Sequence, residues 1–592
     1  MRLIFDLETN GLLDELTLVH SLCMFDLDSG KSYSFHSEDD IERGVHMLDM
    51  ADEIIGHNII GFDVPALTKV YPSFNPRGDI TDTLVLSRLV YADIKQDDFG
   101  KKYPELPTKL YGSHSLKAWG LRLNCLKGDY EGGWESWSEE MQKYCEQDVT
   151  VTTNLYNFLD VKSIDPLAFD LEHRAATLCA KIGGNGFVFN EIAASELYAE
   201  LAQRRADLDR EMKTLFEDEI IEETFVPKVN NSKLGYQKGV PFIKRKVVEF
   251  NPASRKMIGH RLRKKYSWKP TQWTPSGDPK IDETVLSGLP YPEAKRLAEY
   301  FLLQKRIGQL AEGRQAWLKS VGKDGKVRHS INSNGTVTGR ASHSHFNIAQ
   351  VPATRAPWGR ECRELFTVPP GWELVGADLE GLELRCLAHY LWRFDDGAYA
   401  KELLEGDIHT ANQEAAGLPT RDNAKTFIYA WLYGAGDEKI GKIIGKGRKE
   451  GKIIKDRFLA AFPAVASLKR AVTGAAQRGY LKGLDNRKLT IRSEHSALNT
   501  LLQSAGAVLC KQWIVESERL LTEETNLRHG WNGDFVFCAW VHDELQIAVK
   551  KGLADDIGNR LKQSAEEAGK IFGFRCETSA GYSVGTSWAD TH

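Results

Sequence analysis

The chain has 592 residues, with 77 Lys and Arg against 82 Asp and Glu for a net charge of −5. Hydrophobic residues at 42% and charged residues at 27% exclude a disordered or collagen-like chain, and no apolar run approaches the about 18 residues that cross a bilayer. The nine cysteines, with no Cys-x-x-Cys pair, argue against a disulfide framework or structural zinc and for a reducing compartment.

The length predicts three or four domains at roughly 150 residues each. Met1–Asp6 reads as a strand with an early acid, not as a signal peptide. Arg2–Leu7 is a buried strand, Ser21–Asp26 and Lys31–His36 flank Ser29-Gly30 as a hairpin, and Glu53–Gly56 is a further strand. Helical periodicity follows over Val64–Val70, Ser115–Leu123 and Ser138–Leu159. Residues 161–330 read as mostly helical, longest at Glu191–Thr214 and Tyr291–Lys319, with an irregular basic section between. From Pro241 to Pro270 there are ten Lys/Arg and one acid, Glu249, so this segment carries +9 and is a candidate for phosphate contact. Beyond it, Asn332–Arg340 leads to a strand, Glu373–Ala377, that ends in Asp378. Helices run to about Tyr480 and include a second basic stretch, Lys439–Arg457. Asp534–Lys550 alternates as two strands around His542-Asp543-Glu544.

Two sets of carboxylates stand out. Asp6 and Glu8 are two apart on a strand, so both face one side. Alone, such a pair is more often a solvated strand end. Asp63 follows the His57-Asn58 turn, and Tyr144 and Asp148 share a helix face at i, i+4. Four converging carboxylates and a tyrosine suit two divalent cations and phosphodiester cleavage, with the Tyr144 hydroxyl positioning water. In the second set, Asp378 closes one strand while Asp543 and Glu544 occupy a hairpin tip. Side by side, they would hold two Mg²⁺ against triphosphate oxygens. Between them Arg421, Lys425, Tyr429 and Tyr433 recur every four residues, a slowly turning stripe of two cations and two rings that suits a nucleoside triphosphate. The bland alternative for this stripe is an amphipathic helix with a solvated basic start.

The order Asp-x-Glu, Asn-x-x-x-Phe-Asp, Tyr-x-x-x-Asp resembles the DEDDy 3′→5′ proofreading exonucleases, which have an RNase H-like fold. Asp-Leu-Glu-Gly-Leu-Glu-Leu-Arg, Arg-Asp-Asn-Ala-Lys-Thr-Phe-Ile-Tyr-Ala-Trp-Leu-Tyr-Gly and Val-His-Asp-Glu resemble motifs A, B and C of family A DNA polymerases. Asp82–Leu89, Gly406–Thr410, Thr420–Gly441 and Asn499–Lys511 are similar to the replicative enzymes of T-seven-like short-tailed phages. The resemblance implies a multidomain α/β and α+β fold. An RNase H-like exonuclease domain (1–160) would precede a right-hand polymerase, with linker and thumb at 161–330, palm at 331–405 and 481–592, and fingers at 406–480.

By the same resemblance, Asp378 and Asp543 ligate two catalytic Mg²⁺ with Glu544 close by. Asp6, Glu8, Asp63 and Asp148 ligate a second pair at the exonuclease site, Mn²⁺ being an alternative ion. Arg421 and Lys425 hold the incoming dNTP, and Lys425 protonates the leaving pyrophosphate. His409 contacts the β-phosphate, Glu383 is the gate against a ribose 2′-hydroxyl, and Tyr433 alternates with the templating base. Tyr429, with its hydroxyl, implies ready dideoxynucleotide use. Arg340, Asn347, Gln350, Asn499, Gln503 and His542 face the primer–template minor groove, where every correct pair offers similar acceptors.

One feature departs from the family pattern. T-seven-like enzymes carry a long thumb insertion for host thioredoxin, and here roughly Glu219–Phe250 is short, which argues against that clamp. Its basic residues Lys228, Lys238, Lys244, Arg245 and Lys246 leave direct DNA contact or another processivity partner as the expectation. A helicase-primase and a single-stranded DNA-binding protein are the implied replication partners, in the cytoplasm of an infected bacterium. Three rivals are weaker. The exonuclease set and the bulky Glu383 oppose a single-subunit RNA polymerase, complete motifs oppose a repair nuclease with a decayed polymerase, and two intact carboxylate sets oppose a scaffold.

Overall fold

Strand β1 (Arg2–Thr9) carries Leu3, Ile4, Phe5 and Leu7 buried on both faces, which makes it a central strand. The computed structural model describes residues 1–592 and sets β1 in a five-stranded sheet of order β3-β2-β1-β4-β5. β2 (Val19–Asp26) and β3 (Ser32–Phe35) form the expected hairpin and run antiparallel to β1. β4 (Glu53–Gly56) and β5 (Asp79–Asp82) continue in parallel on the other side. Helix Glu139–Phe158 starts where the Ser138 hydroxyl accepts the Met141 N–H at 3.1 Å. Its Cys145 and Val149 pack against Ile4, Cys23 and Ile55.

A second sheet is antiparallel, of order β7-β8-β6-β9: β6 is Trp372–Leu379, β7 Phe535–Val541, β8 Glu544–Lys550 and β9 Ala580–Gly585. β7 is buried at every residue. Gly376 of β6 has no room for a side chain, because a Cβ would lie 2.6 Å from both Gln546 Nε2 and the Thr591 carbonyl oxygen. Helix Ala497–Glu523 is buried nearly all round, as expected of a core helix. It packs against helices Pro166–Asn185 and Ala554–Ile571.

Four buried charges cross this core. Arg487 reaches Glu172 at 2.7 Å and Asp485 at 2.9 Å, and Lys511 also pairs with Glu172. All four side chains are 0–3% exposed, and two of each sign leave the group neutral. A Cβ at Gly339 would lie 2.7 Å from Arg487 Nη1, so the loop carrying Arg340 rests directly on this network.

Packing separates the chain into two units, one of Met1–Phe187, Arg328–Val351 and Val368–His592, the other of Val188–Val327 and Pro352–Thr367. The second unit contains helices Glu191–Leu215 and Pro292–Ile307. The helix expected to run from Tyr291 to Lys319 stops at Ile307. A wider turn, Gly308–Glu312, and a short 3-10 turn, Trp317–Lys319, replace its last part. The section expected to be irregular is instead a two-stranded ribbon, Glu219–Phe225 with Phe242–Val248, followed by helix Arg255–Tyr266. The ribbon is exposed on both faces, so no alternation of apolar and polar residues marks it. The +9 charge of Pro241–Pro270 is also partly compensated. Glu219 pairs with Arg261 and Lys264, Glu222 with Arg245, Glu293 with Lys265 and Asp278 with Lys256.

Two candidate carboxylate sites

The two-residue period of β1 puts Asp6 and Glu8 on one face, with Glu8 buried. Asp63 is the first residue of helix Asp63–Val70, where the helix dipole favours an acid. Asp148 and Tyr144 project together from helix Glu139–Phe158. The four acids interact: Asp6 is raised well above the ordinary range first by burial, then by the charges of Asp148, Glu8 and Asp63. Burial, with Asp148 next, pushes Glu8 up to about 8. Burial, with Asp82 next, pushes Asp63 up to about 7.

Two further residues matter here, though no spacing in the sequence assigns them to the site. Asp82 accepts the Asn58 N–H at 2.9 Å, the Ile60 N–H at 3.1 Å and the Leu84 N–H at 2.8 Å, and so fixes the turn that leads to Asp63. Its own N–H donates to His173 Nε2 at 3.0 Å. The second is Lys127, whose ammonium pairs with Asp148 Oδ2 and lies 4.5 Å over the Tyr144 ring. A capping-type acid and a loop lysine have no periodic pattern, and only the fold brings them here.

The residues fit divalent cations. Asp148 Oδ1 is buried without a hydrogen-bond partner, an orphan that an ion would satisfy. Oxygens of Asp6 and Glu8 and the sulfur of Cys145 lie within 4.8 Å of one another. The Cys145 thiol donates to the Asp6 carbonyl at 3.3 Å, and burial holds it protonated, so the donor set is carboxylate oxygen, suited to a hard ion.

In the second site, strand register places Asp378 opposite Glu544 on one side and Gly581 on the other. Asp543 lies in the tight turn after His542, which has φ 61°, and the Leu379 N–H donates to the Asp543 carbonyl at 3.0 Å. Burial first, then the charges of Asp543 and Glu544, push Asp378 up to about 7. Asp543 is also raised, by burial and then by Glu383. Glu544 lies close by and is tied into the sheet. Its buried carboxylate accepts from Gln546 Nε2 at 2.8 Å and from the Trp588 indole, with His592 at 3.3 Å. Glu544 is directly opposite Asp378 in the ladder, while Asp543, in the turn before it, lines the cavity.

A cavity of about 230 Å³ is lined by Arg340, Glu383, Tyr433, His542 and Asp543. Tyr433 donates to Glu383 Oε1 at 2.5 Å, and Arg340 stands 3.6 Å from the same carboxylate. Helix Arg421–Leu432 carries the stripe as expected, with Tyr433 as its C-cap and Gly434 turning away at φ 74°. Lys425 is exposed, and burial pushes Tyr429 up to about 12. Arg421 is not free: its guanidinium binds Asp407 at 2.8 and 3.1 Å, a partner that no spacing predicts. His409 stands 6.4 Å from the Tyr429 ring, ring centre to ring centre, with Nδ1 buried and unpaired. Asn499 and Gln503 are one turn apart on helix Ala497–Glu523, with the Asn499 amide beside Gly434. Asn347 and Gln350 lie outside the cavity. The Asn347 side chain accepts the Ala349 N–H at 3.1 Å, a local capping role.

Comparisons with known proteins agree in kind. The family model described as DNA polymerase family A matches residues 239–590. The DNA-directed DNA polymerases of Enterobacteria phage T3 and Escherichia phage T7 are each 39% identical, over all of this chain and all of theirs. DNA polymerase I of Pseudomonas aeruginosa is 25% identical over 77% of this chain and 48% of its own. The solved POL domain of Pol1 from M. smegmatis, in complex with DNA primer-template and dNTP, superposes with a TM-score of 0.76 at 18% identity. It covers 100% of this chain and 96% of that one, and shares the fold.

The raised carboxyls predict a pH dependence. Glu8 at about 8 and Asp63 at about 7 hold protons more tightly folded than unfolded. The contribution of these two groups to ion-free stability is therefore full below about pH 4 and is lost as pH rises to about 8. In EDTA, scanning calorimetry should show the melting temperature dropping between pH 6 and pH 8.5. Divalent ions should remove most of that drop, and Glu8→Gln should reduce it. A flat profile for the unsubstituted protein in EDTA contradicts the assignment.

Proposed function

The chain belongs to DNA polymerase family A, and on that premise we propose that it replicates a phage genome as a template-directed polymerase with a 3′→5′ proofreading exonuclease. The observation that carries the polymerase reading is the pairing of β6 with the β7–β8 hairpin, which brings Asp378 and Asp543 together beside the Arg421–Tyr433 stripe. Asp378 and Asp543 would hold two Mg²⁺, with Mn²⁺ as a substitute, and Asp6, Glu8, Asp63 and Asp148 would hold the second pair. Bound ions supply Lewis-acid charge to the reacting phosphate and favour the ionised nucleophile.

The protein's own groups do the rest. Arg421 exchanges Asp407 for the triphosphate, and Lys425 binds the same phosphates and gives a proton to departing pyrophosphate. Glu383, fixed by Tyr433 and Arg340, fills the space a 2′-hydroxyl would need. Tyr429 stacks on the incoming sugar and base. Arg340, Gln503, Asn499 and His542 face the minor groove of the primer–template. In the other site Tyr144 positions water against the terminal phosphodiester. The five-segment division into exonuclease, thumb, palm, fingers and palm follows from this reading. So does location with the replicating phage DNA in the host cytoplasm.

Processivity is proposed to come from the 219–248 ribbon instead of a thioredoxin clamp. Arg245 leaves the set of free cations because it pairs with Glu222, while Lys228, Lys238, Lys244 and Lys246 stay available for phosphate.

Primer extension on one labelled primer–template tests the two sites. The unsubstituted protein should extend with dNTPs and shorten the primer without them. Asp543→Ala should lose extension and keep excision, and Asp6→Ala with Glu8→Ala should do the reverse. Excision without extension in the unsubstituted protein overturns the polymerase reading. Tyr429→Phe should raise discrimination against dideoxynucleotides by at least about tenfold, a loss of roughly one hydrogen bond. Neutralising Lys244 and Lys246 should lower the salt slope of primer–template binding by about 0.9 for each phosphate left without its lysine. An unchanged slope removes the ribbon from the DNA interface.

A further inference from the structure

Lys127 is the one cation among the carboxylates of the first site, and the fold holds it there. Its loop is fastened to helix Glu139–Phe158, where Gln147 Nε2 donates to the Leu126 carbonyl at 2.7 Å and Asn154 Nδ2 reaches Cys125 Sγ at 3.1 Å. The Cys125 N–H donates to the Gly120 carbonyl at 2.8 Å. Gly120 permits the close approach, because a Cβ there would lie 2.6 Å from the Cys125 oxygen and 3.2 Å from the Lys127 nitrogen. The side chain is 18% exposed and its partner Asp148 is 4% exposed. The charges around the ammonium are Asp148, Asp6, Glu8 and Asp63, with the Tyr144 ring beneath it.

This placement has a consequence for ion binding. Asp148 Oδ2 is engaged by the ammonium, while the tight oxygen group is formed by Asp6 and Glu8. An ion on the open Oδ1 of Asp148 shares that carboxylate with a cation held on Oδ2 and is repelled by it, so it binds fully only when the ammonium finds another anion. The phosphodiester of a DNA 3′ end is the anion that the proposed reaction brings.

We propose that Lys127 is a positioning residue of the exonuclease site, holding Asp148 and Tyr144 in place and keeping a divalent ion off Asp148 until a DNA 3′ end arrives to take the ammonium. The proposal rests on the exonuclease reading above. It makes ion and DNA binding mutually dependent through one side chain, so the coupling is measurable in either direction.

The test uses the full chain carrying Asp378→Asn and Asp543→Asn, so that the first site dominates ion binding. Mn²⁺ is titrated by calorimetry, alone and with an oligothymidylate whose last linkage is a phosphorothioate. Lys127→Met should bind Mn²⁺ tighter by about fivefold or more without DNA, the lower end of ordinary coupling between sites. With the oligonucleotide the difference should shrink below about twofold, because the ammonium has left Asp148 in the parent too. Lys127→Arg, which keeps the charge, should follow the parent. Equal Mn²⁺ affinity in parent and Lys127→Met without DNA, or an equal shift with and without it, overturns the proposal. If Lys127→Met does not fold, Lys127→Gln is titrated in the same way. A chain with native Asp378 and Asp543 that does not shorten primers removes the exonuclease reading and this proposal with it. Excision in that chain with no response in the variants removes this proposal alone.

Discussion

Carboxylates that must stand close together in a buried place repel one another, and both sites are arranged around that repulsion. Asp378 and Asp543 share one strand end, and Asp6, Glu8, Asp63 and Asp148 share one cleft. Burial favours the neutral acid, while nearby cations favour the charged one. The scaffold around each cleft is therefore rigid and apolar. β1 is a central strand, β7 is an edge strand buried at every residue, and helix Ala497–Glu523 is buried nearly all round. Apolar burial in those cores holds the acids together, with Lys127 the one cation among those of the first site.

The protein answers the same electrostatic demand with its own groups wherever a functional charge stands free. Arg421 rests on Asp407, Asp148 on Lys127, and Glu383 on Tyr433 and Arg340. For Arg421 and Asp148 the resting partner has the sign of charge that the proposed triphosphate and metal ion offer. The resting contacts thus preorganise side chains that would otherwise lose rotamer freedom on binding.

Local pattern makes the main elements legible in the sequence. The i, i+2 spacing of Asp6 and Glu8, the i, i+4 spacing of Tyr144 and Asp148, and the four-residue stripe from Arg421 all follow from strand and helix periods. The hairpin around Asp543 is marked by apolar strands on both sides. What stays hidden is set by distance in the chain. Lys127 meets Asp148, Asp82 holds Asn58, and Trp588 holds Glu544 through folds that no local period encodes. The ribbon at 219–248 escapes notice because exposure on both faces removes the alternation that reveals a strand.

Helix Pro166–Asn185 carries Glu172 and His173 side by side. Glu172 anchors Lys511 and Arg487, on which the Arg340 loop rests, and His173 receives the N–H of Asp82, which holds the turn before Asp63. Adjacent residues on a helix differ by about 100° in direction, so one rigid rod is bolted to two mechanisms at different bearings. A small roll of that rod shifts both bolts at once, and neither mechanism can be retuned by sliding the helix while the other stays put. Evolutionary change in synthesis and in error removal is thereby yoked: the axle that carries one wheel carries the other.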